Sequence, residues 1–122
     1  MLQEENKERN MTLGRTEPDQ TVLHTLVQRI VQAVQPLRIV LFGSAAAGRM
    51  GPNSDLDLLV IMPDGVHRRR TTREIYRRLS GLGVSKDIVV VTESDIRNYG
   101  SNPSLVLFPA LREGKELYHA AR

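Results

Sequence analysis

The sequence predicts a small α/β domain, and three observations carry that prediction. Two apolar runs of strand length, residues 37–42 and the run opening at Asp55, flank a turn of small residues, Gly43-Ser44. A helical stripe of Leu23, Leu26, Val27, Ile30 and Val34 precedes the first run. A second helical segment, with Ile75, Tyr76, Leu79 and Leu82 as its buried face, leads from the second run to a third apolar strand at residues 87–91. A chain of 122 residues is one domain with room for a real core. The absence of cysteine excludes disulfides and thiolate metal sites. No apolar run reaches the length of a membrane span and the amino terminus is charged, so no membrane association is expected and cytoplasmic residence is the default. The net charge of +3 suits a protein that handles anions but does not by itself indicate nucleic-acid binding.

Element by element, residues 1–15 are polar and charged without apolar periodicity and are expected to form a flexible tail, leaving 16–122 as the folded domain. Thr16-Glu17-Pro18-Asp19 reads as a helix start, with a capping threonine and an early proline. Pro36 stops that helix, on which His24 is expected to be partly exposed. Pro63-Asp64-Gly65 makes a turn after the second strand. The following helix carries Arg68, Arg69, Arg70, Arg73, Arg77 and Arg78 on its exposed side and ends at Gly81 and Gly83. That side is either a solvated face, with Glu74 and Arg78 paired one turn apart, or a docking face for an anionic partner. No aromatic side chain interleaves with the arginines, which argues against single-stranded nucleic acid. His67 beside them carries no assignment. A short helix opens near Ser94-Asp95, Gly100-Ser101-Asn102-Pro103 interrupts the chain, and residues 104–111 are helical with Pro109 kinking or dividing them.

The chemistry concentrates between the first two strands. Side chains alternate along a strand, so Asp55 and Asp57 point the same way with α-carbons roughly 6.6 Å apart. Gly43 lets the backbone turn sharply and approach a phosphate, and Ser44 adds a hydroxyl donor. Ala45, Ala46 and Ala47 favour a short helix whose first N–H groups face an anion, Gly48 suits its end, and Gly51-Pro52-Asn53-Ser54 returns the chain to the strand. Paired carboxylates beside such a turn suit a divalent metal and a polyphosphate. The alternative is a strand-turn-strand connection with a solvated Asp-x-Asp. Asp87 opens a strand whose residues 88–91 look buried on both faces, and a carboxylate tucked there needs a partner, for which a metal is suited; the alternative is a strand-opening aspartate that merely faces water. Lys86 either neutralises phosphate or is solvated.

Gly43-Ser44, ten residues, then Asp55-Leu56-Asp57 resembles the signature of nucleotidyltransferases of the DNA polymerase beta superfamily, specifically the minimal MNT-type domains. The resemblance covers about residues 17–118. It implies a polymerase-beta-like fold, a mixed twisted sheet with helices packed on one face, closed by a final edge strand within 112–118 on which Tyr118 is a packing residue. It also implies Mg2+-dependent transfer of AMP from ATP, with Asp55, Asp57 and Asp87 as catalytic and metal-holding residues of a two-metal site. Gly43, Ser44 and Ser54 are the nucleotide-binding positions it implies. Small MNT domains operate with a HEPN-type toxin, one of whose tyrosines they adenylylate, and that antitoxin role is the expectation here. A small-molecule (aminoglycoside-like) nucleotidyltransferase and a non-catalytic nucleotide-binding or steric antitoxin module are the alternatives.

Overall fold

Apolar periodicity and capping chemistry together set the first element. In the computed structural model, which describes residues 18–51, 54–99 and 107–121, helix α1 (Gln20–Val34) buries Leu23, Leu26 and Ile30. Its cap is Asp19, whose Oδ1 accepts from the Thr21 and Val22 amides at 2.8 and 3.4 Å. The expected threonine cap and the tail of residues 1–15 lie outside the described residues. His24 is exposed. Gln35 adopts a left-handed conformation (φ 52°), its N–H bonds to the Val31 carbonyl, and the buried Pro36 prevents the helix from continuing.

Strand β1 (Arg38–Phe42) runs into a single helical turn, α2 (Gly43–Ala46), and strand β2 (Leu56–Met62) follows. Helix α3 (Arg68–Leu79) leads to β3 (Lys86–Thr92), then come α4 (Glu93–Tyr99), α5 (Leu107–Glu113) and β4 (Lys115–His119). The sheet order is β3-β2-β1-β4, with β2 parallel to β3 and the other pairings antiparallel. A parallel neighbour requires a crossover, which α3 supplies. The sheet is therefore mixed, as expected, with β4 the closing edge strand.

Residue alternation assigns the two faces. Ile39, Leu41, Leu58 and Val60 pack with Leu26 and Ile30 of α1 and with Ile75 and Leu79 of α3. On the other face Val40, Leu59, Ile61 and Val91 meet Leu107 and Ala110 of α5, with Ile96 of α4 alongside. The helices expected on one face account for α1 and α3, but α4 and α5 cover part of the other. The physical reason is that β2 is apolar on both faces beyond Asp57, so neither can be left to water. Pro109 lies in the first turn of α5, where its missing N–H removes no helical bond, so it neither kinks nor divides the helix. Residues 100–106, including the expected turn and the first part of that helix, lie outside the described residues. Gly114 lets α5 pass directly onto β4. A side chain there would strike the Ala110 carbonyl and the Val40 side chain.

Two details of α3 depart from the sequence reading. Tyr76 belongs to no buried stripe. It is 37% exposed, and its hydroxyl accepts the Ile88 N–H at 2.9 Å. The arginines also divide into two sets. Arg68 makes a two-bond pair with Asp95 (2.7 and 2.9 Å), and Glu74 takes Arg77 at 2.8 Å and Arg78, as expected, at 3.5 Å. Arg69, Arg70 and Arg73 are exposed and make no ion pair with the described residues.

Candidate active site

Leu56 and Leu58 point toward α1 and α3, so Asp57 between them faces the opposite side, the one only partly covered by α4 and α5. In the parallel pair Asp57 is in register with Asp87. In-register residues of adjacent strands share a face about 4.8 Å apart, so the two carboxylates are immediate neighbours. Across the antiparallel pair Asp57 is opposite Phe42, which brings the end of β1 and the Gly43 turn against it.

Gly43 is required twice over. Its φ is +74°, and a β-carbon at this position would occupy the space taken by the Asp57 carboxylate. The turn and the aspartate are packed together, not merely close in sequence. The turn is closed by Ala47 N–H to the Gly43 carbonyl (3.2 Å) and by Arg49 N–H to the Ser44 carbonyl (2.8 Å).

Burial first, then the charges of Asp87 and Asp55, push the Asp57 carboxyl above its usual range. The charges of both Asp87 and Asp55 therefore act on Asp57. Asp55 stands exposed just before β2, not within it. Asp87 is also exposed, contrary to the expectation that it is tucked into a buried strand head. It sits at the end of an edge strand, and the partly buried member of the trio is Asp57. Among the described residues no three His, Cys, Asp or Glu side chains are closed into a metal cage. All three aspartates carry hard oxygen donors, the chemistry that suits a hard divalent cation.

The other expected site residues separate. Ser44 is half-buried in the turn beside Asp57. Ser54 instead closes its own loop, its Oγ accepting the Gly51 N–H at 2.8 Å. With Met50, Leu56, Val84 and Ser85 it lines a cavity of about 290 Å³ toward the start of α1, on the reverse of the carboxylate face. Lys86 is half-exposed, its Nζ donates to the Val84 carbonyl at 3.1 Å, and strand alternation turns it to the face opposite Asp87. Sequence reading passed over Arg49, an exposed arginine anchored by its backbone to Ser44. The available signal was a lone cation just past the Gly-Ser turn. It also passed over the polar role of Tyr76, because a tyrosine in an apolar stripe reads as packing.

The family model described as "Nucleotidyltransferase domain" matches residues 23–111, from α1 through α5 and including all three aspartates. Among solved structures, the crystal structure of "a putative nucleotidyltransferase from Sulfolobus solfataricus" aligns with a TM-score of 0.57 at 16% identity, covering 81% of this chain and 78% of that one. At that identity the likeness shows the fold. No curated protein gives a significant match. With a family match across most of its length and the Gly43 turn packed against Asp57, the chain belongs to the nucleotidyltransferase domain family.

Proposed function

We propose that this protein transfers AMP from ATP to an acceptor hydroxyl, a tyrosine of a HEPN-type toxin partner, and so acts as an antitoxin. The observation that carries the transfer reading is Asp57 in register with Asp87 on one face, with Asp55 beside them and Gly43 packed against the Asp57 carboxylate. The acceptor rests on the resemblance to MNT domains. It is supported by the exposure of Asp87 at the sheet edge, where an acceptor as large as a protein has access.

The residues present fit Mg2+. All three are hard oxygen donors, and partial burial of Asp57 among like charges is a cost that a cation relieves. Asp55 and Asp57 would hold one ion and Asp87 would help hold a second. Bound Mg2+ would offset the triphosphate charge and make the acceptor hydroxyl easier to deprotonate. Mg2+ keeps waters and takes substrate phosphates among its ligands, so the carboxylates need supply only part of its shell.

The chain's own groups supply the rest. The Gly43 turn allows a phosphate to approach the backbone, and the Ser44 hydroxyl donates to it. Arg49 offsets charge on the leaving pyrophosphate. A bond forms between the acceptor oxygen and the α-phosphorus as the bond to the bridging oxygen of pyrophosphate breaks. The acceptor's proton passes to an Asp87 carboxylate oxygen. Catalysis is then mainly positioning and electrostatics.

The test is incubation with α-labelled ATP and Mg2+, with and without the protein encoded beside this one. Label on a tyrosine of that protein is the expected result. Label carried to an aminoglycoside instead would replace the acceptor, and tight association without transfer would leave only a steric module.

A further inference from the structure

Asp87 has a difficult position. It stands at the open end of an edge strand, in register with the like-charged Asp57. Strand β3 is paired with β2 on one side only, so the N–H groups on its other side have no strand to bind. Two of them are capped by side chains. Asp95 Oδ2 accepts the Thr92 N–H at the far end, and Tyr76 Oη accepts the Ile88 N–H, each at 2.9 Å.

The Ile88 N–H belongs to the planar peptide unit that joins Asp87 to Ile88. Holding that N–H in place restrains the plane and, with Asp87 paired to β2, its ψ angle, and so the direction of the Cα–Cβ bond from which the carboxylate extends. The Ile88 side chain, 6% exposed, is anchored in the same core cluster as Ile75 and Leu79 of α3. Burial explains only part of where Tyr76 sits, because the residue remains 37% exposed. The hydroxyl contact with the Ile88 N–H supplies a specific anchor.

We infer that Tyr76 is a positioning residue. By accepting the Ile88 N–H it clamps the peptide unit after Asp87 and keeps that carboxylate in register with Asp57. The inference rests on the reading of Asp87 as a metal-holding carboxylate. Tyr76 touches neither nucleotide nor acceptor and acts only through β3.

The test compares Tyr76→Phe, which keeps the ring and removes the hydroxyl, with Asp87→Ala. Three readouts are followed: exchange of the Ile88 amide by NMR, Mn2+ binding by electron paramagnetic resonance, and transfer kinetics. For Tyr76→Phe the expected results are faster Ile88 exchange and Mn2+ affinity weakened about tenfold, together with a kcat lowered about five- to tenfold at unchanged KM for ATP. A merely structural role would reduce the folded, active fraction without shifting metal affinity or separating kcat from KM, and that pattern would overturn the inference. So would Tyr76→Phe turnover and Mn2+ binding equal to wild type while Asp87→Ala is inactive. In that case the reading of Asp87 would survive and the clamp would not. Full activity of Asp87→Ala would remove the carboxylate on which the inference stands, and the inference with it.

Discussion

At Gly43 a single missing methyl group joins fold to chemistry. The turn takes a left-handed backbone and the Asp57 carboxylate fills the space beside it, so alanine there meets both a strained φ and a collision with a charged group. The backbone component alone costs about 1–2 kcal/mol. Ser44 contributes one hydroxyl, and its loss leaves the turn intact. Gly43→Ala is therefore expected to lower thermal stability and abolish transfer, whereas Ser44→Ala folds normally and slows transfer on the order of tenfold through weaker triphosphate binding. Melting temperatures and turnover of the two variants check that order, and equal effects would contradict it. These residues were legible in the sequence because glycine, serine and paired aspartates at fixed spacing have few other uses together. The burial of the trio was not legible. Sequence placed Asp87 in a buried strand, but strand order made β3 an edge and left Asp57 as the partly buried carboxylate.

Helix α3 shows how far an element can be read from its pattern. Ile75 and Leu79 are buried and Glu74 pairs with Arg78, both as period and spacing predict. Tyr76 departs because periodicity marks an amphipathic ring as apolar and says nothing about where its hydroxyl bonds. The helices α4 and α5 over the second face were obscured for a related reason. They are short, and an apolar strand reads the same whatever covers it. The position of α3 has a functional consequence, since it packs on the sheet face opposite Asp57 and Asp87. Replacing Arg69 and Arg73 together by glutamate is expected to leave ATP binding in the presence of Mg2+ within about twofold of wild type, because exposed charges on the far side of a sheet are heavily screened. If this face docks an acidic partner, association with that partner slows and loses its salt dependence. A collapse of nucleotide affinity, measured by titration calorimetry, would put the helix inside the triphosphate pocket and contradict the face assignment.

Across the whole molecule, chemistry and stability are divided between the two ends of the sheet. The aspartates and the Gly-Ser turn stand where β2 and β3 begin. Where these strands end, Asp64 accepts the Ser94 N–H (2.9 Å) and hydroxyl (2.7 Å) and pairs with Arg97 (3.1 Å), while Asp95 binds Arg68 and the Thr92 N–H. These bonds tie the loop after β2 to the start of α4. The Ser94 hydrogen bonds, assisted by Arg97, lower the Asp64 carboxyl from 3.8 to about 2. A carboxyl lowered in the folded state adds stability above its unfolded value and loses it as pH falls through the folded one. The Asp64 contribution is therefore complete above about pH 4 and disappears toward pH 2. Asp64→Asn is expected to flatten acid unfolding, followed by circular dichroism, over that window, and superimposable curves would contradict the assignment. The central claim is that the aspartates at the other end hold metal together with triphosphate. Its most direct test is calorimetric titration of a non-hydrolysable ATP analogue, with and without Mn2+, into the wild-type protein and into Asp55→Asn and Asp57→Asn. Metal-dependent binding is expected for the wild type, and its loss in both variants while their circular dichroism remains native. Metal-free Asp57→Asn is also expected to melt no lower than wild type, because a repelled charge has been removed. Metal-dependent binding of wild-type strength in either folded variant would contradict the central claim.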